Sequence, residues 1–140
     1  MNTLVPAALT LVLAGLSGLH IFWAVTGNSS GRGVVPEVNG HPLFSPSRSA
    51  TLVVAAALLA AAFVAASRGQ LIVPAPPGSF VHWAAIATGI VFVLRAVGEF
   101  RYVGFFKSHR GTRFATLDTW LFSPLCVLIS SAFLFVATLP

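Results

Sequence analysis

The stretch RAVGEFRYVGFFKSHRGTRFATLD, residues 95 to 118, carries most of the charge of this chain. It holds five of the eight Lys and Arg residues and two of the three Asp and Glu residues. Long apolar runs lie on both sides of it. A charged segment between two apolar runs is typical of a loop that connects two membrane spans.

The composition supports the same interpretation. Of 140 residues, 56% are hydrophobic and only 8% are charged, and the mean hydropathy is +0.90. These values exclude an ordinary soluble domain and indicate a single integral membrane domain over residues 1–140. The net charge of +5 is better explained by membrane topology and contact with anionic lipid than by nucleic acid, so no nucleic-acid partner is expected.

Four apolar runs are long enough to cross a bilayer, because about 20 helical residues span a hydrocarbon core of about 30 Å. The predicted spans are residues 4–26, 48–66, 80–100 and 118–139. A long turn-rich loop, residues 27–47, and a basic loop, residues 101–117, connect spans on one side of the membrane. No Lys or Arg precedes the first run, so we interpret it as a span and not as a cleaved signal peptide. The predicted fold is all-α, an antiparallel four-helix membrane bundle.

The distribution of Lys and Arg near the span ends predicts the orientation. The second loop carries Arg68 alone, whereas six cations flank the first and third loops. These six are Arg32, Arg48, Arg101, Lys107, Arg110 and Arg113. We therefore expect those two loops to be cytoplasmic and both chain termini to be external, in a bacterial cytoplasmic membrane. The cations expected to contact lipid headgroups are Arg101, Lys107, Arg110 and Arg113.

Arg95 lies inside the third predicted span, where a charge costs about 2.5 to 3.5 kcal/mol and calls for a partner. Glu99 follows at i+4, and Tyr102 falls within roughly 40° of both on a helix. Asp118 opens the fourth span, where its simplest role is to cap the helix N-terminus. Two interpretations stay open. The acids and Arg95 form an internal salt bridge that stabilises the bundle, or they line a pocket for an anionic or polar headgroup.

His20 and Trp23 share a face near the end of the first span, on the same side of the membrane as Arg95. The simplest role of a membrane-embedded histidine is a hydrogen bond to a neighbouring helix. The alternative is a ligand pocket between spans one, three and four. Its predicted lining residues are His20, Trp23, Arg95, Glu99, Tyr102 and Asp118. Among these, His20, Glu99 and Asp118 are the candidates for catalytic proton transfer.

The sequence identifies no cofactor. Cys126 is the single cysteine, which excludes an intrachain disulfide, a CxxC redox pair and a thiolate metal cage. No H-x-x-x-H or H-E-x-x-H spacing occurs, so no metal site is predicted. Bis-histidine haem would need a second histidine at the depth of His20, and His82 belongs near the opposite surface.

Several short motifs resemble one known family. They are H-x-x-W at residues 20–23, RAVGEFRYVGFFK at 95–107, TRFA at 112–115 and D-T-x-x-x-S-P-L at 118–125. These pieces are similar to a family of small four-span bacterial membrane proteins catalogued as domain of unknown function 3995. The resemblance covers nearly the whole chain and is most specific in the third span. The resemblance implies the four-span topology and marks the residues of these motifs as candidate functional positions, but it implies no reaction.

Three functional hypotheses follow from the sequence. The first is the binding of an amphiphilic or lipid-like small molecule in a cytoplasmic-leaflet pocket. In the second, the protein is an intramembrane enzyme acting on a lipid or isoprenoid. The third is a structural or accessory subunit, in which small residues such as Ala14 and Gly18 dock another copy or a larger membrane partner.

Overall fold

The computed structural model describes residues 3–27, 33–72, 76 and 78–139. Its long helices are α1 (Leu4–Thr26), α2 (Arg48–Arg68), α3 (Gly78–Val97) and α4 (Arg113–Ala137). All four are long and apolar enough to cross a membrane. The predicted all-α, four-helix antiparallel bundle is therefore confirmed.

The four helices pack mainly as two pairs. Helix α1 lies against α2, and α3 lies against the second half of α4; smaller contacts of α2 with α3 and of α1 with α4 join the pairs. The core contains Leu13, Ala65, Ala85 and Phe133, all completely buried. Small residues such as Ala65 and Ala85 let the helices approach closely, and Phe133 fills the space between them.

The first loop contains a short hairpin. Strand β1 (Glu37–Val38) pairs antiparallel with β2 (His41–Pro42). The two turn residues, Asn39 and Gly40, have φ values of 53° and 78°. Positive φ at both positions is the geometry of a type I′ turn, which Asn-Gly favours. The long loop between α1 and α2 is therefore partly ordered by local hydrogen bonding.

The beginning of this described loop also packs against α4. A Cβ added to Gly33 would lie 2.9 Å from Cγ of Arg113 and 3.0 Å from Cδ1 of Leu117. Val35, two residues later, is buried. Close packing at Gly33 and burial of Val35 place the loop against the bundle at the start of α4.

Helix α3 ends at Val97, before the predicted end at residue 100. Gly98 and Gly104 both have positive φ. A Cβ on Gly98 would collide with the backbone of Val103, and a Cβ on Gly104 would collide with the backbone of Val97. The N–H of Phe105 donates to the carbonyl of Ala96 at 2.9 Å. The backbone therefore folds back against the helix end, and glycine is required where the two segments touch. Our expectation that Glu99 and Tyr102 continue one helix face with Arg95 is wrong.

Helix α4 begins earlier than predicted, at Arg113. The hydroxyl oxygen of Thr112 accepts from the N–H of Ala115 at 3.1 Å and caps the helix. Residues Asp118–Phe122 form a π-helical turn, in which the N–H of Ser123 donates to the carbonyl of Asp118. Asp118 is thus inside α4, and its predicted role as the N-cap is wrong. The π turn ends two residues before Pro124, which has no N–H to donate to the carbonyl of Trp120.

Helix packing does not determine which side of the membrane each loop occupies. Arg32, one of the six cations in the orientation argument, lies outside the described residues. External termini and cytoplasmic first and third loops therefore stay a prediction.

Candidate functional site

Asp118 is the centre of a buried polar cluster. Its side chain is 0% exposed. One carboxylate oxygen, Oδ1, accepts from Nη2 of Arg95 at 2.8 Å. The other, Oδ2, accepts from Nζ of Lys107 at 2.9 Å and from the N–H of Gly104 at 2.7 Å. Charge-assisted bonds of this kind are among the stronger hydrogen bonds in proteins, so the cluster ties α3, the third loop and α4 together.

Lys107 is almost completely enclosed by protein, with 2% of its surface exposed. Besides Asp118, its ammonium donates to the carbonyl of Gly104 at 2.8 Å and to the hydroxyl of Thr119 at 2.7 Å. An ammonium has three N–H donors, and here each has an acceptor. The expectation that Lys107 contacts a lipid headgroup therefore does not hold. Arg101, Arg110 and Arg113 are exposed, and their headgroup contacts stay a prediction.

Arg95 has a different partner from the one expected. Its ion pair is with Asp118, which is 23 residues away in the sequence, and not with Glu99. Glu99 is exposed, and its carboxylate accepts from the backbone N–H groups of Tyr102 and Val103. The predicted Arg95–Glu99 pair is thus wrong, because the chain leaves the helix between the two residues.

Tyr102 lies in the third loop between two other side chains of that loop. The guanidinium carbon of Arg101 is 5.2 Å from the centre of its ring, and the ring of His109 is 5.0 Å away. Both distances are within the range of cation–π and aromatic contacts. Tyr102 therefore takes part in the packing of the loop itself.

The Asp118 cluster has the properties of an internal salt bridge. Two cations and one backbone amide occupy the carboxylate, which is completely buried. Breaking such a pair leaves an uncompensated buried charge. For Arg95 and Asp118, the salt-bridge interpretation of the sequence is therefore confirmed.

A second feature is a cavity of about 260 Å³ between α1, α2 and the first loop. Helix α1 contributes His20 and Trp23, and the first loop contributes apolar side chains. The lining residues are His20, Trp23, Val34, Val35, Phe44, Pro46, Ala50, Thr51 and Val54. Most of this wall is apolar, and its polar side chains are few, as is typical of small-molecule sites.

His20 is held in place by its own helix. Its Nδ1 lies 2.7 Å from the carbonyl oxygen of Leu16, one turn earlier. The rings of His20 and Trp23 pack edge to face, with their centres 5.0 Å apart and their planes at 61°. The simple alternative for His20, a hydrogen bond to a neighbouring helix, is not what the structure shows, because the bond stays within α1.

The structure divides the six predicted pocket residues between two places. His20 and Trp23 line the cavity, whereas Arg95, Glu99, Tyr102 and Asp118 are not among its lining residues. The other walls of this cavity come from α2 and the first loop, whereas the sequence predicted a pocket between spans one, three and four. A signal for the loop was present, since Val34, Val35 and Phe44 are apolar residues in a polar loop. For Ala50, Thr51 and Val54 the smooth surface of α2 offered no comparable signal.

The described part of the chain contains no group of three or more His, Cys, Asp or Glu side chains that could hold a metal ion. The sequence left open whether His20 and His41 could meet. In the structure His20 lines the cavity, whereas His41 is exposed in β2 and is not a lining residue.

The family model of DUF3995, described as "Protein of unknown function", matches residues 13–133. The chain belongs to the DUF3995 family. The match confirms the resemblance seen in the sequence, and no curated protein and no solved structure matched the chain in the corresponding comparisons. The part of this DUF3995 protein that matches includes both the cavity and the Asp118 cluster.

Proposed function

We propose that this DUF3995 protein binds an amphiphilic or lipid-like small molecule in the cavity between α1, α2 and the first loop. The observation that carries the proposal is a cavity of about 260 Å³ with apolar walls and two polar side chains, His20 and Thr51, beside the aromatic ring of Trp23. An amphiphile has the matching combination of an apolar body and a polar group.

The size of the cavity indicates how such a molecule would bind. Sites that enclose a whole drug-sized ligand measure about 300 to 1,000 Å³, and this cavity is smaller. Three of its lining residues, Phe44, Ala50 and Val54, are also exposed at the protein surface. The cavity therefore suits the polar end of a long molecule, whose apolar remainder stays among the lipid chains.

Binding is favoured over catalysis by the titratable groups near the cavity. Among the described lining residues, His20 alone carries a titratable side chain. The other two catalytic candidates are occupied elsewhere, Asp118 by Arg95 and Lys107, and Glu99 by two backbone amides. An intramembrane enzyme that moves protons would need a second group, because an acid and a base usually act together.

If the distribution of cations sets the orientation, the cavity opens in the cytoplasmic leaflet of a bacterial inner membrane. Arg48, at the start of α2, and the exposed arginines of the third loop belong to that side in the orientation argument. The same cations would hold anionic lipid around the protein.

The test compares two tryptophan substitutions on neighbouring residues of α2. Val54 lines the cavity, whereas Val53 is exposed and is not a lining residue. We expect Val54→Trp to fill the cavity and Val53→Trp to leave it open. Native mass spectrometry after mild detergent extraction should then show a bound small molecule on the wild-type protein and on V53W, and little or none on V54W. Equal occupancy of the two variants would contradict the proposal.

A further inference from the structure

We infer that the molecule bound in the cavity is uncharged and presents a hydrogen-bond donor, most simply a hydroxyl group, to His20. The inference rests on the proposed function and specifies the chemical class of its ligand. Its basis is the hydrogen-bonding state of the two polar side chains in the cavity wall and the position of the charged groups around it.

The first observation concerns the tautomer of His20. Nδ1 lies 2.7 Å from the carbonyl oxygen of Leu16. A carbonyl oxygen can only accept, so Nδ1 must carry the hydrogen of this bond. In the neutral imidazole the other nitrogen, Nε2, then has a free lone pair and acts as an acceptor. In this neutral form the ring offers the cavity an acceptor at Nε2 and no donor.

The second observation is that Thr51 is in a similar state. Its hydroxyl donates to the carbonyl of Ser47 at 3.0 Å, one turn earlier in α2. The hydroxyl hydrogen is used in that bond, and only the lone pairs of Oγ1 are left for a ligand. The side chains of His20 and Thr51 thus both require a hydrogen-bond donor from the molecule that binds beside them.

The third observation concerns charge. The described residues that line the cavity include no Lys or Arg. Two cations of the neighbouring third loop and α3, Lys107 and Arg95, are paired with Asp118. Arg48 is exposed at the start of α2 but is not a lining residue. Arg113 packs its aliphatic stem against Gly33, beside the wall, but is not a lining residue either. A carboxylate or phosphate head in contact with the described wall would therefore meet acceptors and no cation of that wall, which is unfavourable for an anion.

A hydroxyl group satisfies these conditions. It donates one hydrogen to Nε2 of His20 or to Oγ1 of Thr51. It carries no charge, so it needs no counter-ion. A long-chain alcohol is therefore the simplest ligand class, with its apolar chain extending past Phe44 and Val54 into the lipid.

The experiment uses a protein in which Trp23 is the only tryptophan, made by W83F and W120F. Trp83 and Trp120 are exposed and do not line this cavity. Trp23 fluorescence is titrated in detergent with three probes of equal chain length: a primary alcohol, the corresponding fatty acid at a pH at which it is ionised, and the alkane. We expect saturable binding of the alcohol, and at least about tenfold weaker binding of the acid and of the alkane.

Two variants test the role of the histidine. His20→Phe should weaken alcohol binding by about two- to tenfold, the effect of one hydrogen bond of ordinary net strength. His109→Phe, in the exposed third loop, should leave it unchanged. The probe series itself keeps His20, so it tests the inference even where H20F fails to fold.

The outcomes separate this inference from the proposed function. Saturable binding in which the acid or the alkane equals or exceeds the alcohol would overturn the hydroxyl inference and leave amphiphile binding intact. Alcohol binding that is unaffected in a folded H20F protein would also overturn it. If none of the three probes binds saturably, and V54W changes nothing in the native mass spectrum, both the inference and the proposed function fail.

Discussion

Nζ of Lys107 lies 2.9 Å from Oδ2 of Asp118, and protein encloses both side chains almost completely. Arg95 binds the other oxygen of the same carboxylate at 2.8 Å. One acidic side chain of α4 therefore holds a helix, α3, and the loop that follows it. The stability of this end of the bundle should depend on these contacts more than on the exposed cations nearby.

The first prediction compares Lys107→Met with Arg110→Met. Each removes one positive charge from the same loop, but Lys107 is buried and Arg110 is exposed. Breaking a buried ion pair costs about 3 to 5 kcal/mol, and Arg95 still pairs with Asp118, so we expect a loss of about 3 kcal/mol for K107M. Nε of Arg110 donates to the carbonyl of Lys107 at 3.3 Å, a long hydrogen bond, so R110M should change the stability by less than about 1 kcal/mol. Thermal unfolding in detergent measures both, and equal effects would show that Lys107 acts only as a surface charge.

The second prediction concerns Asp118→Asn. This substitution leaves Arg95 and Lys107 close together without their anion, so we expect a loss of about 3 to 5 kcal/mol or a failure to fold. In the double variant K107M/D118N one of the two unpaired cations is gone. The double variant should be less destabilised than the sum of the two single variants, by about 1 to 3 kcal/mol of coupling. Strict additivity in unfolding measurements would contradict a direct interaction.

The third prediction distinguishes the two acids of the charged stretch. Glu99 is exposed, and its partners among the described residues are the N–H groups of Tyr102 and Val103. The amide oxygen of glutamine can accept the same bonds, so Glu99→Gln should cost less than about 1 kcal/mol. A loss as large as that of D118N would indicate that Glu99 is the partner of a buried cation. Melting temperatures of the two variants, measured side by side, decide between these outcomes.

The fourth prediction concerns the glycines where the chain turns back after α3. Alanine at Gly98 would place a methyl group against the carbonyl of Val103, and alanine at Gly104 would do the same at Val97. We expect each substitution to destabilise the protein by more than about 2 kcal/mol, because backbone atoms must move.

Two control substitutions separate the causes of that effect. Gly111 also has positive φ, but no atom of the described residues beyond its chain neighbours lies within 4 Å of an added Cβ, so Gly111→Ala should show the backbone strain alone, about 1 kcal/mol. Gly15 lies inside α1, and apart from the backbone of its own helix no described atom lies within 4 Å of an added Cβ there. Gly15→Ala should be neutral or stabilising by up to about 1 kcal/mol. Equal unfolding free energies for G98A and G111A would contradict the close contact.

The fifth prediction tests the orientation in the membrane. Cys126 is buried and is replaced by alanine to give a cysteine-free background. Ser79, near the second loop, and Ser108, in the third loop, are both exposed. In intact cells a membrane-impermeant maleimide should label Ser79→Cys and not Ser108→Cys, and in opened membranes it should label both. The reverse pattern would place the termini in the cytoplasm.

The sequence by itself determined the class of the protein. Hydrophobicity summed over about 20 consecutive residues is a local property, so four spans and three connections could be predicted without any knowledge of packing. The position of Arg95 inside an apolar span also showed that its charge needed a partner within the protein. His20 and Trp23 could be placed on one face by helical periodicity alone.

Only the tertiary structure decided which groups meet. Lys107 and Asp118 are 11 residues apart, and Arg95 and Asp118 are 23 apart. Their contacts depend on the sharp turn at Gly98, which ends α3 before Glu99, and no periodicity predicts such a turn. The wall opposite His20 likewise depends on the packing of α2 and the first loop against α1. Sequence patterns report local conformation and burial, whereas ion pairs and cavities arise where segments distant in sequence come together, and packing selects those places.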